Sequence, residues 1–135
     1  VGEMNRARNI FLRRARDASG SVAVEFALLL PVYIAFMFGI IEFGRMLWIR
    51  NTMEFAAEIA ARYGAITSGA TNATVAAYAT TQLIGIDPAT TTITFTANVA
   101  ASTVTVVGTH AFTTLVAAYV PIPATTLTVT ATFAK

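Results

Sequence analysis

The chain has no cysteine and one histidine, so it can form no disulfide and no thiolate site, and His110 has no cysteine with which to build a zinc site. Charge is scarce too. Only 12 % of the residues are charged while 56 % are apolar, against about a quarter charged in an ordinary soluble domain. There is no Ser/His/Asp grouping, no glycine-rich phosphate loop and no pair of facing carboxylates. Those absences remove the usual grounds for an enzyme, a cofactor, a metal or a small-molecule substrate. The charge that exists is unevenly placed, and the net value of +2 hides this. Residues 1–20 carry Arg6, Arg8, Arg13, Arg14 and Arg16 against Glu3 and Asp17. The remainder carries Arg45, Arg50, Arg62 and Lys135 against Glu25, Glu42, Glu54, Glu58 and Asp87. Val1-Gly2-Glu3 precede the first methionine, Met4, which leaves the start residue open.

What is present in quantity is one long apolar run. It opens with Gly20-Ser21-Val22-Ala23-Val24-Glu25-Phe26-Ala27-Leu28-Leu29-Leu30-Pro31 and continues to Ile41. No residue from Phe26 to Ile41 is charged, and Glu25 is the only charge between Val22 and Ile41. A helix rises ~1.5 Å per residue, so about twenty residues cross a hydrocarbon core of roughly 30 Å. Pro31 is tolerable there, because neighbouring groups in a membrane helix can satisfy the carbonyl it frees. The run predicts a single transmembrane helix in contact with the lipid bilayer. The arginine arm ahead of it stays on the cytoplasmic side, which sends the C-terminal part across. That arm is too short for a nucleic-acid interface, lacks interleaved aromatics and abuts the span. A removable secretory signal fits poorly. The run exceeds an h-region of about 7–15 residues, and Glu42-Phe43-Gly44-Arg45 closes it where a small-x-small site would stand.

Beyond Ile41 the helical pattern continues. Glu42/Arg45, Arg50/Glu54 and Glu58/Arg62 place opposite charges three or four residues apart on one face. Phe55, Ile59, Tyr63 and Ile66 form an apolar stripe beside Ala56, Ala57, Ala60 and Ala61. The expected helix runs from about Ser21 to about Ile66, with Ser68-Gly69 ending it. A second short helix is expected over Thr74–Leu83, capped by Asn72 and terminated by Gly85 and Asp87-Pro88. Asn72-Ala73-Thr74 is also a glycosylation sequon, though capping is the better use of that asparagine.

From Ala89 the period becomes two. Ile93, Phe95, Ala97 and Val99 alternate with threonines and Asn98, Val104 and Val106 with Thr103 and Thr105, and Leu127, Val129, Ala131 and Phe133 with Thr126–Thr132. Each reads as a half-buried strand. Ala111–Tyr119 either extends the second strand or adds one, and Pro121-Ile122-Pro123 interrupts the pattern. The fold class is α+β: a long N-terminal transmembrane helix extending outside the membrane, packed on an antiparallel sheet of three to four strands, with a short second helix. The Phe55/Ile59/Tyr63/Ile66 stripe is the expected cover of the sheet. The expected divisions are a basic leader over 1–20, the span over 21–44, the helical extension over 45–66 and an outer α+β domain over 67–135.

The arginine-rich leader, the stretch Gly20–Pro31, then Gly39-Ile40-Ile41-Glu42-Phe43-Gly44-Arg45 and Ala56-Ala57-Glu58-Ile59-Ala60-Ala61-Arg62-Tyr63 together resemble the TadE-like family. Its members are pilin-like, or pseudopilin, components of the tight-adherence (Tad) pilus system. The resemblance spans about residues 14–66. It implies removal of the leader after Gly20 by a prepilin peptidase, leaving Ser21 as the new N-terminus and Glu25 as the fifth mature residue. It also implies, as partners, other pilin-like subunits and the Tad assembly platform of the inner membrane, with Glu25 meeting the N-terminal amine of a neighbouring subunit. The residues agree on their own terms. An isolated carboxylate in hydrocarbon is costly and marks a functional position by default. Gly20 lacks a side chain and is weakly held in a helix, as a protease site requires. Pro31 and the small pair Ala35/Gly39 are candidate helix-packing positions. Glu42 and Arg45 are expected to pair at the outer interface, with Trp48 as an aromatic anchor. The competing reading is a signal-anchored envelope protein whose outer domain binds a ligand or a surface.

Overall fold

The structure, a computed structural model, describes residues 2–87, 91–118 and 122–135, with side chains of the first helix described from Gly20 onward. Helix α1 (Gly2–Ile66) is followed by α2 (Asn72–Thr81), β1 (Ile93–Val99), β2 (Thr103–Phe112), a short 3-10 turn (Leu115–Ala118) and β3 (Thr125–Ala134). The chain divides into two compact units, residues 1–41 and 42–135. The class is α+β, as the alternation of periods required.

In the first unit α1 begins earlier than expected, at Gly2 rather than near Ser21, and Pro31 sits inside it without ending it. The helix from Gly20 onward is long and apolar enough to cross a membrane. Residues 20–41 are all exposed among the described residues. Val22, Phe26, Leu28, Phe36 and Ile40 are among the exposed side chains, and the large apolar ones range from 39 to 72 % exposure. Water does not tolerate an apolar surface of that extent, so it needs a cover supplied from outside the chain.

The second unit covers itself. Its three strands lie in the order β1-β2-β3, both pairings antiparallel. The register sets Phe95 opposite Gly108 and Gly108 opposite Val129, and sets Val106 between Ala97 and Ala131. Val104 and Val106 are fully buried in the core. Gly108 is glycine for a steric reason. A Cβ there would lie 2.7 Å from the Phe95 ring and 3.0 Å from Val129 Cγ2.

The helix face that meets this core is not the predicted one. Phe55 and Ile66 are exposed, at 45 and 77 %, and Ile59 and Tyr63 are only half-buried. The buried face is Ile49, Met53, Ala56, Ala57, Ala60 and Ala61. Small side chains let the helix backbone approach closely, and Gly64 shows how closely. A Cβ on it would lie 2.8 Å from Val75 Cγ2 of α2 and 3.0 Å from Val104 Cγ1 of β2. The larger residues flank the contact. Tyr63 stacks on Tyr78 of α2 with ring centroids 4.3 Å apart.

Helix α2 starts two residues before the expected Thr74, and its cap is Thr71 rather than Asn72. Thr71 Oγ1 accepts from the Thr74 N–H at 3.2 Å while the Thr71 N–H donates to Thr74 Oγ1 at 2.9 Å. Asn72 instead reaches β1, where its Oδ1 accepts the Val99 N–H at 2.8 Å. Gly69 and Gly85 take positive φ in the turns after each helix, a region that glycine enters without penalty. Strand β2 ends at Phe112, so the stretch beyond Ala111 adds no fourth strand among the described residues. Pro88, Tyr119 and Pro121, invoked as breakers or strand ends, lie outside the described residues.

Candidate functional site

The residues singled out by sequence fall into two groups, one in each unit. In the first unit, Gly20, Ser21 and Glu25 lie on α1, and Glu25 is exposed, as are its neighbours Val24 and Phe26. Gly20 is therefore helical, not extended. A helical period of 3.6 puts Ser21 and Glu25 one turn apart on the same face. Ala35 and Gly39 follow the same spacing further on, and a Cβ at Gly39 would meet nothing within 4 Å. Among the described residues no contact requires the absence of a side chain there.

In the second unit, the turn of α1 that opens it, from Glu42 to Arg45, carries a polar clasp. Glu42 is 8 % exposed. Arg45 lies one turn on, and its Nη2 and Nε donate to Glu42 Oε2 at 3.0 and 3.3 Å. Glu42 Oε1 accepts the backbone N–H of Leu115, and Arg45 Nη2 also donates to the Thr113 carbonyl. The guanidinium lies over the Phe112 ring, 4.4 Å from its centroid. A buried carboxylate is costly unless its oxygens are satisfied, and here each oxygen has a donor. The predicted Glu42–Arg45 pair is therefore present, and it grips the turn that follows β2. Sequence reading could not supply Thr113 and Leu115, because nothing local links them to Glu42.

Trp48 is 57 % exposed, with its ring against the Gly85 turn. With Asn51, Thr52, Phe55 and Ile84 it lines an open hollow of about 350 Å³. On another side a cleft of about 540 Å³ is lined by Arg45, Ile49, His110 and a ring of threonines. His110 Nδ1–H donates to the Thr92 carbonyl at 2.8 Å, which accounts for that nitrogen. Among the described residues no three His, Asp or Glu side chains gather in a way that could hold a metal.

The arrangement is that of an anchored scaffold: an uncovered apolar helix with one carboxylate, followed by a small self-contained α+β unit. Residues 20–62 match the family model described as TadE-like protein. The match begins at Gly20 and takes in Glu25, Pro31, Ala35, Gly39, Glu42, Arg45 and Trp48. It covers most of residues 14–66 and leaves the sheet outside. No curated protein and no solved structure matches the chain. TadE-like components of Tad pili are structural, and the match together with the apolar helix supports a membrane-anchored, pilus-associated protein.

Proposed function

We propose that the chain is a minor pilin or pseudopilin of a Tad pilus assembly system. It is held in the inner membrane by residues 21–44, with the leader cytoplasmic and the outer unit periplasmic. Prepilin peptidase cuts after Gly20, and the helix then joins those of other pilin-like subunits. The observation that carries this reading is Glu25, a lone exposed carboxylate in an apolar helix, one turn beyond Ser21 and inside the TadE-like match. After the cut, the Ser21 amine is a cation at nearly the same depth as the carboxylate of an adjacent subunit. In a medium of low dielectric that pairing outweighs the ~0–1 kcal/mol of an exposed pair, although desolvation offsets part of it.

One observation favours the tether reading instead. Gly20 lies within α1, and a protease needs an extended substrate. Cleavage thus requires local unwinding, which glycine permits at about 1 kcal/mol less than alanine would. The test is Glu25→Gln, which keeps shape and hydrogen bonding but removes charge. Membrane content and leader removal should be unchanged, while cross-links to partner pilins and piliation are lost, and Glu25→Asp should restore them in part. Full cross-linking and piliation in the Gln strain would make Glu25 a bystander and favour the tether.

A further inference from the structure

We infer that Arg50, Glu54, Glu58 and Arg62 set the register against a second copy of this chain, whose helix runs parallel and is displaced along the axis by eight residues. The inference rests on the membrane-anchored reading above, since two copies crossing one membrane in one direction must present parallel helices.

All four side chains are exposed. Their spacing of four would allow Arg50–Glu54 and Glu58–Arg62 pairs within the helix, yet neither closes, in contrast to Arg45 and Glu42. Arg62 lies 5.4 Å from the centroid of the Phe133 ring, which orients the guanidinium without neutralising it. The order of charge along the strip is plus, minus, minus, plus. Each four-residue step turns the helix by about 40° beyond a full turn, so the strip stays within an arc of roughly 120°.

That order selects among registers. With no stagger, every charge in the strip faces its own copy and all contacts repel. With a stagger of four, Arg50 meets Glu54 and Glu58 meets Arg62, but Glu54 meets Glu58. With a stagger of twelve, Arg50 meets Arg62. A stagger of eight pairs Arg50 with Glu58 and Glu54 with Arg62 and leaves no like pair. The same offset brings Phe43, 58 % exposed, beside Asn51, and Leu47 beside Phe55. The displacement is about 12 Å. Such a contact is heterologous: each copy uses one part of the strip toward one neighbour and another part toward the next. It therefore propagates instead of closing into a dimer. Contact between Glu25 and the Ser21 amine needs an offset near four, so it belongs to a different neighbour.

The chain lacks cysteine, which makes the register directly readable. Full chains carrying Phe43→Cys and full chains carrying Asn51→Cys are mixed in phosphatidylcholine vesicles and oxidised. The mixed 43–51 disulfide should dominate over 43–43 and 51–51. Adding Arg50→Glu with Glu54→Arg keeps an in-helix pair possible but sets like charges together at the eight-residue offset. The mixed disulfide should fall about five- to tenfold, the scale of two exposed pairs turned from attraction to repulsion. Adding Arg50→Glu with Glu58→Arg should restore it to the starting level. Retention of cross-linking in the first swap, or no recovery in the second, overturns the register. Absence of any cross-link without the swaps overturns a second copy as the occupant. In either case the pilin-like reading stands or falls separately, on Glu25 and on the cut after Gly20. Unfolding of the outer unit should be the same in all swaps, since the four residues are exposed.

Discussion

Residues 20–41 and residues 42–66 belong to one helix, yet they are stabilised by different surroundings. The first stretch carries phenylalanine, leucine and isoleucine, all exposed. In the second, Met53, Ala56, Ala57 and Ala60 are fully buried under the chain's own sheet and second helix. Apart from Ile49 and Met53, the bulkier residues are thus the uncovered ones. Where the chain supplies its own cover, close approach of backbones selects small side chains. Where lipid supplies it, bulk and apolarity are enough, because no complementary shape has to be met.

The sharpest way to break this comparison is to remove one side chain from each stretch. Met53→Ala should lower the stability of the outer unit by about 2–5 kcal/mol, the usual cost of emptying a fully buried site. Phe36→Ala, at a residue 70 % exposed in the other stretch, should leave the unfolding midpoint of that unit unchanged. Denaturant unfolding of the detergent-solubilised chain compares the two. Equal losses would mean the stretches do not differ as described.

A smaller effect is expected from adding bulk. In Gly64→Leu the new side chain meets Val75 and Val104, both fully buried and unable to withdraw. Overpacking of this kind costs about 1–3 kcal/mol, and a downward shift in melting temperature would register it. Gly39→Leu, where an added Cβ meets nothing within 4 Å, should produce no such shift. If both substitutions destabilise the outer unit alike, steric contact at Gly64 is not the reason it is glycine.

Much of this could be read from the sequence. The end of α1 at Ile66, the switch to period two and the apolar faces of Phe95, Val104, Val106 and Val129 all follow from local pattern. The covering face of α1 did not. Both its aromatic stripe and its alanine stripe have helical period, and ranking by hydrophobicity chooses the aromatic one. The decisive quantity was the distance between backbones, which only the fold sets. The cap of α2 was hidden because its third residue is Thr74, where a capping box more often has glutamate or glutamine. Local pattern assigns that role to Asn72, because its actual partner, Val99, is 27 residues away. Glu42 has the same character, since it binds Leu115 across 73 residues.

The smallest of the stability effects belongs to that asparagine. Asn72→Ala removes an acceptor from the Val99 N–H at a partly solvated strand edge. The loss should be about 0.5–1.5 kcal/mol, at the lower end if water replaces the amide oxygen. Hydrogen exchange at the Val99 amide should quicken while exchange at Val106, in the buried middle strand, changes little. Unaltered protection at Val99 would show that the contact does not hold in solution.

The central claim is that the uncovered helix is a processed pilin-like element and not a permanent tether, and its N-terminus decides between them. The chain is expressed with and without a prepilin peptidase, extracted from the membrane, and sequenced from its first residue. The account predicts a chain beginning at Ser21 when the peptidase is present. It predicts a full-length precursor when the peptidase is absent, or when Gly20 is replaced by a bulky residue. A chain that keeps its arginine leader in the presence of active peptidase would contradict it.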